Sequence, residues 1–171
     1  TGSIAIGNNS ALGTGSVTLA GSTTLMSNGA TSRTLSNSLV LGGSVTLGDG
    51  VNNGLLVLNG NMTLGGSYGL TAASNAVMSG VIGDGGSGYS FTKLGSGSLT
   101  LTGSSTFTGD TVVAAGTLQL AASGSLSSGT ITVNSGAVLG VSSGHTEPSG
   151  RTLRIGSSLV IGDLAMASGG T

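Results

Sequence analysis

Side chains able to do chemistry are scarce in this chain: 171 residues carry one histidine, five acidic groups, four basic groups and no cysteine. The histidine stands in Gly144-His145-Thr146-Glu147-Pro148, the most polar stretch of the sequence. His145 and Glu147 offer two ligands where a stable metal site takes three or four, so the stretch reads as an exposed loop insertion and no metal is assigned. Gly65-Gly66-Ser67-Tyr68-Gly69 has the nucleophile-elbow spacing, and Asp84 or Asp110 followed by His145 supplies acid and base in hydrolase order. That motif works as a strand, a strained turn and a helix, and no helix follows here. Gly83-Asp84-Gly85-Gly86-Ser87-Gly88 fits a dinucleotide fingerprint, yet Tyr89-Ser90-Phe91 continues as a strand where a helix should receive the phosphates. It is a turn, and the sequence implies no cofactor and no catalytic residue.

Paired carboxylates serve polysaccharide chemistry, sometimes with calcium. Asp49, Asp84, Asp110 and Asp163 each follow a glycine at the end of an apolar run, where Asp bonds its own backbone in a turn. The stretch from Gly85 to Ser90 approaches a calcium-binding nonapeptide but has Ser90 where the ligand aspartate belongs. An ice-binding face would repeat Thr-x-Thr at one point of every coil; here it recurs at irregular gaps, at Thr100 to Thr102, Thr106 to Thr108 and Thr130 to Thr132. Arg33, Lys93, Arg151 and Arg154 are scattered singly in a chain of net charge -1, which excludes a basic stripe for nucleic acid or an anionic membrane. No apolar run reaches the roughly 18 to 20 residues of a membrane helix, so no membrane insertion is expected of this segment.

What must position any site is a set of short strands. Aliphatics alternate with Ser or Thr over three to five residues, each run closed by Gly, Asn or Gly-Asp, as in Ser44-Val45-Thr46-Leu47, Ser98-Leu99-Thr100-Leu101 and Thr130-Ile131-Thr132-Val133. About twenty such runs recur, roughly eight residues apart, and glycine, at 35 positions, interrupts every helical candidate. Four aromatic residues cannot fill a sandwich core, whereas a solenoid of about seven coils, three strands and about 22 to 25 residues each, stacks the same aliphatics into ladders. Residues 2–42 align with 116–162, pairing Ile4 with Leu118, Ile6 with Leu120 and Val17 with Ile131, an internal duplication proper to a repeat array. Both ends fall in mid-pattern without a polar cap, which reads as one solenoid segment of a longer or a polymerising repeat protein.

From Phe91 to Leu120 the sequence closely resembles the autotransporter-associated β-strand repeat of bacterial passenger regions. The matching residues are Thr92-Lys93, Gly95, Gly97, Leu99, Leu101, Gly103, Phe107-Thr108-Gly109, Thr111, Val113 and Gly116-Thr117-Leu118, with Asp110 and Phe107 as mild departures. The resemblance implies an all-β, right-handed parallel β-helix held outside the cell, at a bacterial surface, and brings no catalytic residues. The function expected is that of a non-catalytic rod, stalk or filament subunit stacking end to end on copies of itself. The alternative is an adhesin that binds a surface glycan or host protein on a lateral patch, for which Tyr68, Tyr89, His145 and Glu147 are the raw material; a carbohydrate-active enzyme is a more distant third.

Overall fold

A computed structural model describes residues 2–52, 54–143, 145–147, 152–156, 160–161 and 165–166. Within them lie twenty-one strands and no helix, because no apolar pattern runs long enough between glycines to sustain one. All strand pairs are parallel, and the pairing order makes a β-solenoid of about seven turns. One sheet stacks eight strands: Gly2–Ile6, Thr23–Ser27, Val45–Leu47, Tyr68–Ala72, Phe91–Leu94, Thr111–Val113, Thr130–Val133 and Thr152–Ile155. A second stacks seven: Arg33–Leu35, Leu56–Leu58, Ala76–Met78, Ser98–Leu101, Thr117–Leu120, Val138–Val141 and Val160–Ile161. The third holds four: Val17–Ala20, Leu39–Gly42, Met62–Leu64 and Ile82–Gly83. From Thr23 to Gly83 each turn visits the eight-, seven- and four-stranded sheets in that order.

Alternation puts every second residue inside, and the in-register pairing turns those residues into columns. Leu35, Leu58, Met78, Leu101, Leu120 and Val141 form one column, all buried, at about 1.5–3 kcal/mol for each large side chain. Coil length follows the corners: the register advances 25 residues from Leu47 to Ala72 and 20 from Lys93 to Val113. A 20-residue advance occurs both where the third side keeps its strand, as from Met62 to Ile82, and where it loses it. Residues 103–107 and 121–128 are dominated by Ser, Gly and Ala, carry no aliphatic alternation, and pair through a single bridge, Ser104 to Ser125. Phe107 and Leu126, both fully buried, fill the core there instead.

At the base of the seven-stranded sheet the residues before Val17–Ala20 are turned, with the Ala11 N–H donating to Asn8 O and the Gly13 N–H to Ser10 O. The buried Asn37 amide ties this loop down through Leu12 O, Gly13 O and Gly15 O at 3.4, 3.1 and 2.8 Å, and Arg33 Nε donates to Ile6 O at 3.1 Å. This side of the first coil is therefore closed by polar side chains rather than left bare. The two stretches aligned in sequence occupy different sides: Gly2–Ile6 lies in the eight-stranded sheet and Thr117–Leu120 in the seven-stranded one. One residue pattern thus serves on more than one face.

The corners stack backbone on backbone, which leaves no space for a Cβ. A Cβ at Gly60 would fall within 3 Å of the Asn37 carbonyl, whereas one at Gly129 meets nothing. Urea denaturation of Gly60→Ala is expected to show a loss of about 1–3 kcal/mol, and Gly129→Ala a change within about 0.5 kcal/mol; equal effects would contradict the stacking.

Candidate functional site

Strand period two carries Lys93 into the core, since Phe91 and Lys93 are buried while Thr92 and Leu94 are half-exposed. Lys93 stands in the inward column Val45, Leu70, Lys93, Val113, Val133, an ammonium among aliphatics and itself fully buried. Its three N–H bonds find three carbonyls: Nζ donates to Leu94 O at 2.8 Å, Gly95 O at 2.9 Å and Ala115 O at 3.0 Å. Gly95, at φ 78°, is the bend that brings two successive carbonyls to one ammonium. Burial pushes the lysine's pKa down to about 8, and the carbonyls favour the charged form, so the group is cationic at neutral pH.

Asp84 is the complementary feature one corner earlier, 4 % exposed. Its carboxylate accepts from Gly86 N–H at 2.9 Å, Tyr89 N–H at 3.0 Å, Thr108 N–H at 3.1 Å and the Thr108 hydroxyl at 3.1 Å. Burial raises the pKa of such a group, but here the N–H groups of Thr108, Gly86 and Tyr89 and the Thr108 hydroxyl outweigh it and hold the carboxyl at about 2. Both buried ions are satisfied by backbone groups, and both reach into the next coil. Between the two corners the Phe91 and Phe107 rings meet at 5.8 Å and 48°.

The residues read as a lateral patch do not come together as one surface. Tyr68 and Tyr89 lie half-buried against the core at the same corner, entering the eight-stranded sheet in consecutive coils. His145 lies at a different corner, after Val138–Val141, and is not an exposed loop residue: it is 1 % exposed, with Nδ1 3.1 Å from Ala121 O. The reason is that the stretch after Val141 runs on as a coil side, with Thr146–Glu147 paired to Ala165–Met166, instead of looping out. The Glu147 side chain, Arg151 and Asp163 lie outside the described residues. Ser67 and His145 are separated by nearly four coils, about 18 Å along the axis, so they form no hydrolytic pair. Among the described residues no three of His, Asp or Glu gather into a possible metal site. Asp49 fills the turn role expected of it, accepting from Val51 N–H at 2.9 Å and Asn52 N–H at 2.6 Å, and Asp110 is exposed.

The glycines of the repeat pattern have one physical role. At Gly95, Gly97, Gly103, Gly109 and Gly116 a Cβ would lie within 3 Å of a carbonyl in the coil beneath. Leu99, Leu101 and Leu118 are inward ladder residues, and Phe107 is wholly enclosed. The resulting class is a parallel β-solenoid, and the glycines and leucines of its repeat motif pack the coils. Residues 91–120 match the family model of the passenger-associated-transport-repeat. No curated protein and no solved structure matches the chain.

Reading the sequence treats Lys93 as a motif residue and Asp84 as an ordinary turn residue, and misses that both are buried ions. For Lys93 the signal is present: Phe91 and Lys93 are two apart in a strand and must share a face. For Asp84 it is absent, since Thr108 becomes its partner only once the coils stack.

The two ions give the stability a distinct pH profile. Between about 8 and the lysine value of about 10.4 the unfolded chain binds more protons than the folded one, so stability rises with pH. Asp84 runs the other way at the acid end: its contribution is complete above about 4 and is lost as pH falls toward 2. Urea midpoints measured from pH 2 to 10.5 should show both limbs, with Lys93→Met abolishing only the alkaline rise; a profile unchanged in that variant would contradict the buried ammonium.

Proposed function

We propose that this chain is a structural β-solenoid of a secreted bacterial surface or matrix protein, serving as rod, stalk or filament element without catalysis. The observation that carries the reading is that the two buried ionic groups are engaged within the coil stack. Lys93 and Asp84 face inward and hold coil to coil, while an outward column of the seven-stranded sheet reads Thr34, Val57, Val77, Thr100, Gln119, with neither charge nor cleft. The passenger-type repeat at 91–120 supports export and display outside the cell.

A second reading, a lateral face that binds a surface glycan or host protein, has one observation behind it. Tyr68 and Tyr89 share a corner beside the exposed residues Gly85 to Gly88. The remaining patch residues contribute nothing visible there.

Antibodies raised against this segment are expected to label intact cells of the source bacterium, and electron microscopy of the released material to show stiff rods. Labelling that requires permeabilised cells would sink surface display. Short rods that enrich one glycan on an array, with that enrichment lost in Tyr68→Ala and Tyr89→Ala, would favour the adhesin.

A further inference from the structure

The strands of this solenoid are nearly interchangeable. Ser98-Leu99-Thr100-Leu101, Thr117-Leu118-Gln119-Leu120 and Thr130-Ile131-Thr132-Val133 differ little in shape or polarity, and similar stretches occupy different sheets. If one coil were skipped, so that the strand Phe91–Leu94 paired with Thr130–Val133 in place of Thr111–Val113, the inward Phe91 and Lys93 would meet Ile131 and Val133 in place of Thr111 and Val113. The hydrophobic ladders therefore make the fold stable without saying which coil lies on which. Polar groups buried at specific points supply that information, because a wrong pairing strands them.

We propose that Asp84 and Lys93 are the register locks of the solenoid: each keeps two partners in its own stretch of chain, Gly86 and Tyr89 N–H for Asp84 and the Leu94 and Gly95 carbonyls for Lys93, and completes its set when the coil holding Thr108 and Ala115 stacks directly on the coil holding Phe91. Asp84 needs the N–H and hydroxyl of Thr108, 24 residues on, and Lys93 needs the carbonyl of Ala115, 22 residues on. The locks grip the two ends of one strand: Asp84 precedes Phe91–Leu94, and the Lys93 ammonium sits at the corner that follows it. They also sit where they are needed. Between residues 103 and 128 the third side pairs through the isolated bridge Ser104 to Ser125 and a few single bonds, such as Thr106 N–H to Ile82 O at 2.8 Å, in place of a strand ladder, and the coil there advances 20 residues. Asn37 does the corresponding work at the first coil with a neutral amide. Most of the residues that make the second junction, Lys93, Gly95, Thr108 and Ala115, fall inside the segment 91–120. The repeat motif on this reading is a stacking address written in buried charge.

Cysteine pairs read the register directly, since the chain has none of its own. Thr92 and Val112 are outward neighbours in the observed stacking, and Thr92 would neighbour Thr132 if one coil were skipped. Adjacent parallel strands lie about 4.8 Å apart, within the Cα separation a disulfide spans. The protein is unfolded in urea and refolded under oxidising conditions, and its crosslinks are read by peptide mass spectrometry. The T92C/V112C pair should close at least about tenfold more completely than T92C/T132C, as a buried ion that loses the partners supplied by the next coil is left under-satisfied. In Lys93→Met, and independently in D84N/T108V, that ratio should fall about tenfold or more toward parity. Leu118→Ala destabilises the core without touching either lock, and should leave the ratio unchanged. The proposal is overturned if both lock variants refold with the wild-type ratio, or if Leu118→Ala scrambles the pairing as much as they do. Should Lys93→Met fail to fold, the D84N/T108V ratio decides alone.

Discussion

The structure depends on one spacing. Parallel main-chain hydrogen bonds hold successive coils about 4.8 Å apart, and every other feature adapts to that distance. At the corners, where chain passes over chain, it leaves no room for a Cβ above a carbonyl, so Gly60, Gly80, Gly95, Gly103 and Gly116 recur there. Along the sides it brings each inward residue into van der Waals contact with its equivalents above and below. Leucine, isoleucine, valine and methionine then make most of the core, and Phe91 and Phe107 are its two buried aromatics, where a sandwich would call for more. The same spacing explains how a chain with 5 % charged residues folds at all, since stability comes from repeated neighbour contacts rather than from a large single core.

Much of this was legible before any coordinates. Alternation in Ser44-Val45-Thr46-Leu47 or Ser98-Leu99-Thr100-Leu101 reports both strand and inward face, and the glycines closing each run report the corners. The expected coil count and the absence of helix follow from that pattern alone. Other features are properties of the stack and have no local signature. Asp84 looks like any Gly-Asp turn until Thr108 arrives over it from the next coil. His145 looks like a loop residue because its neighbours are polar, yet its ring contacts Ala121, 24 residues back, and is enclosed. The alignment of 2–42 with 116–162 records similarity of strands rather than equivalence of position, because any side of the coil can accept the same alternating residues.

The functional reading rests on the same economy. An enzyme converges ionisable groups on a cleft; here the buried carboxylate and the buried ammonium are saturated by backbone partners and turned away from solvent. Burying ions is a poor way to gain stability, but it discriminates among alternative packings, and a chain of near-identical strands needs that discrimination. On the function proposed, the segment 91–120 that matches the passenger-associated-transport-repeat joins unlike coils.

The most direct test of the account is a pulsed electron–electron resonance distance between spin labels at Thr34 and Gln119. These positions are outward-facing and four coil steps apart in one column of the seven-stranded sheet. Stacking of the coils predicts a single narrow distribution centred near 19 Å, four rises of about 4.8 Å. A broad distribution, or a centre beyond about 30 Å, is incompatible with four parallel steps at that rise and would contradict the solenoid itself.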